Sequence, residues 1–237
     1  HRSLFTVHLF PEPNPLPYEH APWGPRTIRA RLATLSAIVN RPASIVVSCA
    51  RALLTGTLPK RDFSAAARML RVGQSIRLDK LLDSWTGAGY ANETIVAEPG
   101  QFSRRGGIVD VWPPADEHPT RIELFGDEIE SMKRFDAATQ RSGDSAEAVT
   151  VGPAREALPK HGPHIARTLP IEPDSGLAPD LERLAAGAAF PTLEFFLPLL
   201  HPAQASLLDY LPDNALVFVD DWGELSDTVN ELESQAL

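Results

Sequence analysis

Hydrophobic and polar positions follow two rhythms along this chain, and the change between them divides it. Thr27 to Asn40 places Ile28, Leu32, Leu35 and Val39 at helical spacing, and Arg41-Pro42 ends the run. Ahead of it, Ser3 to Phe10 (SLFTVHLF) reads as a strand. Pro11, Pro13, Pro15 and Pro17 then hold the chain extended. Behind it, Ile45-Val46-Val47 is a short unbroken apolar run, the pattern of a buried parallel strand, and Ala50 to Leu54 turns helical. Helix, buried strand and helix in that order read as α/β. Only His1 and Arg2 precede the first strand, so the chain reads as a fragment of a longer protein.

From about Phe63 the rhythm changes. Leu78, Leu81, Leu82 and Trp85 share one side of a helix that stops at Gly87-Ala88-Gly89. Strands with turn punctuation follow. Glu93 to Ala97 precedes Pro99-Gly100, Gly107 to Trp112 precedes Pro113-Pro114, and Thr120 to Phe125 precedes Gly126-Asp127. A two-residue Gly-Asp link between strands is a type I′ or II′ hairpin signal. The stretch is a helix-plus-antiparallel-sheet unit, α+β, inserted into the chain.

The α/β texture then returns. After the proline-rich crossing from Pro153 to Pro173, Pro179 to Gly187 reads as helix, and Leu193 to Leu200 is strongly apolar but broken by Pro198. Leu216 to Asp221 (LVFVDD) reads as a second buried parallel strand, and Gly223 to Leu232 as a closing helix. The expected organisation is one α/β domain in two segments, residues 1–62 and 154–237, interrupted by an α+β unit at 63–153.

Composition narrows the function. The chain has 237 residues, 43% hydrophobic and 22% charged, enough apolar material for packed cores. Its single cysteine, Cys49, excludes an internal disulfide, and no apolar run is long enough to span a membrane, so the expectation is a soluble, cytoplasmic protein. The net charge of −9 is uneven: +5 over 1–62, −4 over 63–153 and −10 over 154–237. An acidic last third argues against nucleic-acid wrapping there, because phosphate contacts need cations. The basic first third leaves a DNA-binding reading open.

Catalytic motifs are weak. Leu216 to Asp221 has the shape of a Walker B strand, but Asp221 stands where a hydrolytic version would place Glu. No GxxxxGK[ST] phosphate loop occurs, so Asp220 and Asp221 read as a degenerate position. The seven histidines do not cluster with acidic residues at ligand spacing and read as surface or loop residues, and Cys49 reads as packed at a strand end. No metal, cofactor or catalytic residue is expected.

The hairpin is different. Counting back from Gly126-Asp127, Phe125 faces Glu128, Glu123 faces Glu130, and Arg121 faces Met132. Alternation puts Ile122, Leu124 and Ile129 inside. It puts Arg121, Glu123, Phe125, Glu128, Glu130 and Met132 outside. An exposed aromatic beside an Arg is the usual make-up of a partner-binding patch. Arg105, before Gly106-Gly107, joins that patch if its strand pairs next to the hairpin.

The string PGQFSRRGGIVDVWPPADEHPTRIELFGDEIESMKRFDAATQRS (Pro99 to Ser142) resembles the interaction domain shared by two bacterial excision-repair proteins, excinuclease B (UvrB) and the transcription-repair coupling factor. The flanks YEHAPWGPRTIRARLATLSAIV and FPTLEFFLPLLHPAQASLLDYLPDNALVFVDD resemble the same family, so the likeness covers nearly the whole chain. The short LFPEPNPLPYE, with Tyr18 alone, lacks the several rings of excinuclease B's DNA-clamping hairpin, and Asp220-Asp221-Trp222-Gly223 replaces that protein's Asp-Glu-Ser-His. Both departures favour the coupling factor.

The resemblance implies a degenerate, incomplete helicase-like (RecA-type) α/β domain in two segments, without ATP hydrolysis, around an interaction domain that binds the damage-recognition ATPase of excision repair, UvrA. It implies Arg105, Arg121 and Phe125 as contact residues. It also implies RNA polymerase and double-stranded DNA as partners of the full-length protein, an ATP-dependent DNA translocase, through domains this chain lacks. A fragment of excinuclease B, betrayed by nucleotide binding, and a salt-sensitive DNA-binding module are the alternatives.

Overall fold

The computed structural model describes residues 6–16, 18–40, 44–169, 176–201 and 203–235. Strand β1 (Thr6–Phe10) lies parallel to β2 (Ser44–Ser48), Phe10 opposite Ser48, with helix α1 (Pro25–Asn40) crossing between them. Leu32 and Leu35, expected from the spacing, pack with Ile38 against Phe10, while Ile28 and Val39 are only partly buried. Ser3–Phe5 of the expected first strand lie outside the described residues. Ile45 and Val47 are exposed rather than buried, because α1 covers one face of this two-stranded sheet and only alternate residues reach it. Helices α2 (Ala50–Leu54) and α3 (Lys60–Ala66) follow, and Ala52 and Phe63 join the same core.

The inserted unit opens with β3 (Arg68–Arg71) and closes with β10 (Ala148–Val151). These two pair antiparallel, so the chain enters and leaves the unit side by side. Between them run helix α4 (Leu78–Gly87) and a six-stranded sheet: β4 (Ala91–Asn92), β5 (Gln101–Arg105), β6 (Ile108–Val111), β7 (Thr120–Phe125), β8 (Glu128–Phe135) and β9 (Ser142–Ser145), each beside the next. Every pairing is antiparallel except β4–β5. Leu81 and Trp85 of α4 meet Phe102, Val109, Val111, Ile122 and Ile129 from the inner face of the sheet. The strand expected at Glu93 to Ala97 is instead a loop. The Gln101 side-chain oxygen accepts from the Ala97 and Glu98 amides at 2.8 and 2.9 Å, taking the place of ladder partners.

The last segment is mostly short helices. A 3-10 turn at Pro159–His161 leads into α5 (Gly162–Ala166), followed by α6 (Ala178–Ala185). A 3-10 turn at Leu193–Phe196 runs into α7 (Leu197–Leu200), another spans Leu207–Tyr210, and α8 (Trp222–Gln235) ends the described chain. Leu184, Phe190, Leu193, Phe196 and Leu200 form a further core with Trp23. The strand expected at Leu216 to Asp221 does not form. Among the described residues this apolar run pairs with no strand, and Phe218 is 87% exposed. Asp221 instead accepts a hydrogen bond from the Glu224 amide at 2.9 Å, the role of a helix cap at the start of α8.

A buried ion pair joins the first segment to the chain emerging from the insert. Arg31 of α1 donates from Nε to Glu156 Oε1 at 2.6 Å and from Nη2 to Oε2 at 3.0 Å, both side chains being almost fully buried. The Thr57 hydroxyl donates to the same carboxylate, and the guanidinium lies 3.9 Å from the Phe10 ring centroid. A charge this deep needs such complete pairing.

Candidate functional site

The outer face of the six-stranded sheet is set by its register. Ser103, Asp110, Arg121 and Lys133 stand opposite one another across β5, β6, β7 and β8, and Arg105, Ile108, Glu123 and Ser131 form the next row. At the tip Phe125 faces Glu128. Gly126, with φ +62°, turns the hairpin, as a type II′ link requires at its first central residue. At the other turn Gly107 accepts from the Leu124 amide at 2.8 Å, and a Cβ there would press within 3.0 Å of the Leu124 carbonyl. That close approach draws the Arg105 end of β5 toward the hairpin tip.

A β-bulge corrects the expected pairing. Leu124 faces Ile129, but Glu123 faces Ser131, so Glu130 is the extra residue. Beyond it every partner slips by one: Arg121 faces Lys133 rather than Met132, and Met132 lies opposite Ile122, 1% exposed in the core. A one-residue slip exchanges the faces of a strand. Met132 therefore leaves the outer patch and Lys133 enters it, with Nζ 3.8 Å from Glu123.

Three residues singled out from sequence lie on this face, in different states. Phe125 is 78% exposed. Arg121 is 15% exposed and forks onto Asp110, Nε to Oδ1 at 2.8 Å and Nη2 to Oδ2 at 2.9 Å, with its guanidinium 4.8 Å from the Phe135 ring centroid. The hydrogen bonds to Asp110 hold the Arg121 pKa above its ordinary value against the opposing effect of burial. Arg105 is 52% exposed and reaches the same carboxylate, Nη2 to Oδ2 at 2.9 Å. Two guanidiniums thus share one buried carboxylate, and Arg105 is the more exposed of the two. Arg121 and Phe125 are four residues apart on β7, roughly 13 Å at strand rise, so Arg121 does not adjoin the ring.

Asp110 was missed by sequence reasoning. Its signal is an acid inside an apolar strand, Val109-Asp110-Val111-Trp112. Asp220 and Asp221 lie exposed, away from any sheet. Cys49 is exposed just after β2, not packed. The histidines do not all stay at the surface or apart from acids: His201 is 3% exposed, and Asp62, His161 and His201 converge.

Comparison with known proteins bears on the same face. Residues 69–156 match the family described as the UvrB interaction domain, a span that contains all six strands of the sheet. The transcription-repair-coupling factor of Bacillus subtilis (strain 168) is 30% identical over 250 residues, covering 97% of this chain and 21% of that protein. Over nearly its whole length the chain is similar to the transcription-repair-coupling factors. That of Haemophilus influenzae is 29% identical over 223 residues, covering 92% of this chain and 19% of the relative. That of Staphylococcus haemolyticus is 25% identical over 246 residues. The chain therefore spans about a fifth of the length of these curated relatives. Among the described residues no helix is long and apolar enough to cross a membrane.

Proposed function

We propose that this chain is a non-catalytic recruitment module of a transcription-repair coupling factor, and that the outer face of its inserted sheet docks UvrA for transcription-coupled excision repair. The observation that carries this reading is Phe125, a large ring left in solvent at the tip of a well-packed sheet. Set on a rigid hairpin beside Arg105 and outside the core, such a ring is suited to serve as the anchor of a docking surface. Arg105 supplies the adjoining cation for a carboxylate on the partner. Arg121 acts through Asp110, fixing the acid that in turn orients Arg105.

The two segments around the insert form, in this reading, a worn helicase-like α/β support without nucleotide chemistry. The matched family and the coupling-factor relatives support the repair assignment, and the missing phosphate loop supports the absence of hydrolysis. RNA polymerase and duplex DNA are partners of the longer protein, reached through parts beyond this chain, and the setting is the cytoplasm. Co-elution of purified UvrA with this chain on size exclusion tests the proposal. Separate elution at about 10 µM of each contradicts it. Tight ATP binding by the chain would favour the excinuclease B reading instead.

A further inference from the structure

Outside the docking face, one cluster has chemistry that the recruitment role does not use. Asp62 of α3, His161 at the end of its 3-10 turn and His201 just past α7 each offer a ligand atom, and these atoms lie within 4.8 Å of one another. His201 Nε2 lies 3.1 Å from the Glu156 carbonyl oxygen. A carbonyl only accepts, so that nitrogen carries the hydrogen and Nδ1 of the neutral ring presents a lone pair. This lone pair faces the Asp62 Oδ2 at 3.4 Å, without a hydrogen-bond partner, in a residue 3% exposed. His161 also buries Nε2 with no partner, and its ring packs edge-on against His201 at 5.4 Å between centroids. Two imidazole nitrogens and a carboxylate thus converge, an arrangement that calls for a shared proton or a metal cation among them.

We propose that Asp62, His161 and His201 form a binding site for a divalent transition-metal ion of the zinc class. Two imidazoles and one carboxylate are the borderline nitrogen–oxygen set that zinc prefers, whereas magnesium and calcium select oxygen-only shells. The 3.4 Å between His201 Nδ1 and Asp62 Oδ2 matches the edge of a tetrahedron with metal–ligand bonds of about 2.05 Å. The Glu156 carbonyl already fixes the His201 ring through its other nitrogen, the outer-shell support that metal-bound histidines show. Asp62 is partly exposed, so its carboxylate can adjust toward His161, and water would complete the fourth position.

The location gives the ion a purpose. Asp62 lies just before the inserted unit, His161 just after it, and His201 in the surrounding body. One ion would brace both chain crossings and hold the root of the insert.

The test is titration of the 237-residue chain, freed of metal by chelator and dialysed, with Zn²⁺ against a chromophoric competitor. Mg²⁺ serves as control, and melting is followed in parallel. The expected result is one Zn²⁺ per chain at micromolar or tighter affinity, no Mg²⁺ binding, and a melting temperature raised by zinc. His161→Ala and Asp62→Asn, both at incompletely buried positions, should each weaken zinc by about tenfold or more and abolish the thermal rise. No saturable zinc binding, or equal binding by His161→Ala with its fold confirmed by circular dichroism, overturns the site. The second outcome would leave the His201–Asp62 contact as an imidazolium ion pair.

Discussion

Arg121 of β7 and Asp110 of β6 stand directly opposite each other and join through a two-pronged hydrogen bond, Nε to Oδ1 at 2.8 Å and Nη2 to Oδ2 at 2.9 Å. The fork uses both oxygens of a carboxylate that is 1% exposed, and Arg105 takes the remaining lone pair of Oδ2. Asp110→Ala would leave two guanidiniums without their carboxylate, one of them mostly buried. The expected cost is about 2–4 kcal/mol in urea unfolding, together with weaker UvrA binding. A loss below about 0.5 kcal/mol would mean the triad holds nothing in place.

The Arg31–Glu156 pair is the deeper counterpart. Both side chains are almost fully buried, and Glu156 also accepts from Thr57. Glu156→Ala strands the Arg31 charge in the core and should cost about 3–5 kcal/mol, measured by chemical denaturation. Exposed Arg77 and Asp79 make a similar contact, and Asp79→Ala should leave the denaturation midpoint close to that of the parent.

Acid stability should depend on Asp180. Burial pushes its carboxyl pKa up, but the Thr192 hydroxyl at 2.5 Å, His20 at 2.8 Å and Arg183 together outweigh burial and hold it below the ordinary value. A depressed folded-state pKa means that the unfolded chain binds the proton first as pH falls. The stabilisation is therefore full above the unfolded pKa of about 3.9 and is lost as pH drops through the lower folded value. Thr192→Val should shift the acid-unfolding midpoint upward. An unchanged midpoint in a circular-dichroism titration would contradict this.

The run Leu216 to Val219 is exposed and joins no sheet. Phe218→Ser should therefore change the stability of this chain by no more than about 0.5 kcal/mol, whereas Ile122→Ala in the inserted core should cost about 2–5 kcal/mol. Comparable losses in thermal melts would place Phe218 in a packed environment.

The helices and the hairpin were legible because their signals are local. Leu32 and Leu35 recur at helical spacing, Gly126-Asp127 marks a turn, and both fold as read. What failed depended on partners distant in sequence. Leu216 to Asp221 has the composition of a buried strand, but composition cannot supply a neighbouring strand to pair with. The Glu130 bulge carries no residue-type signature, yet it moved Met132 from the outer face to the core and brought Lys133 out. Helix α3 and strands β3, β9 and β10 are short and carry no clear periodicity, and β3 and β10 become strands through each other. Of the candidate site, alternation alone pointed Phe125 outward, whereas the sharing of Asp110 by Arg105 and Arg121 required the cross-strand register. The approach of His161 to His201 needed the folded body.

The most direct measurement is a calorimetric titration of UvrA with this chain and with its Phe125→Ala variant. The ring packs against nothing in the core, so the variant should melt at the parent temperature and yet bind UvrA about thirtyfold more weakly, the equivalent of about 2 kcal/mol. Equal affinities for parent and variant, with both folded, would contradict the docking role of this face.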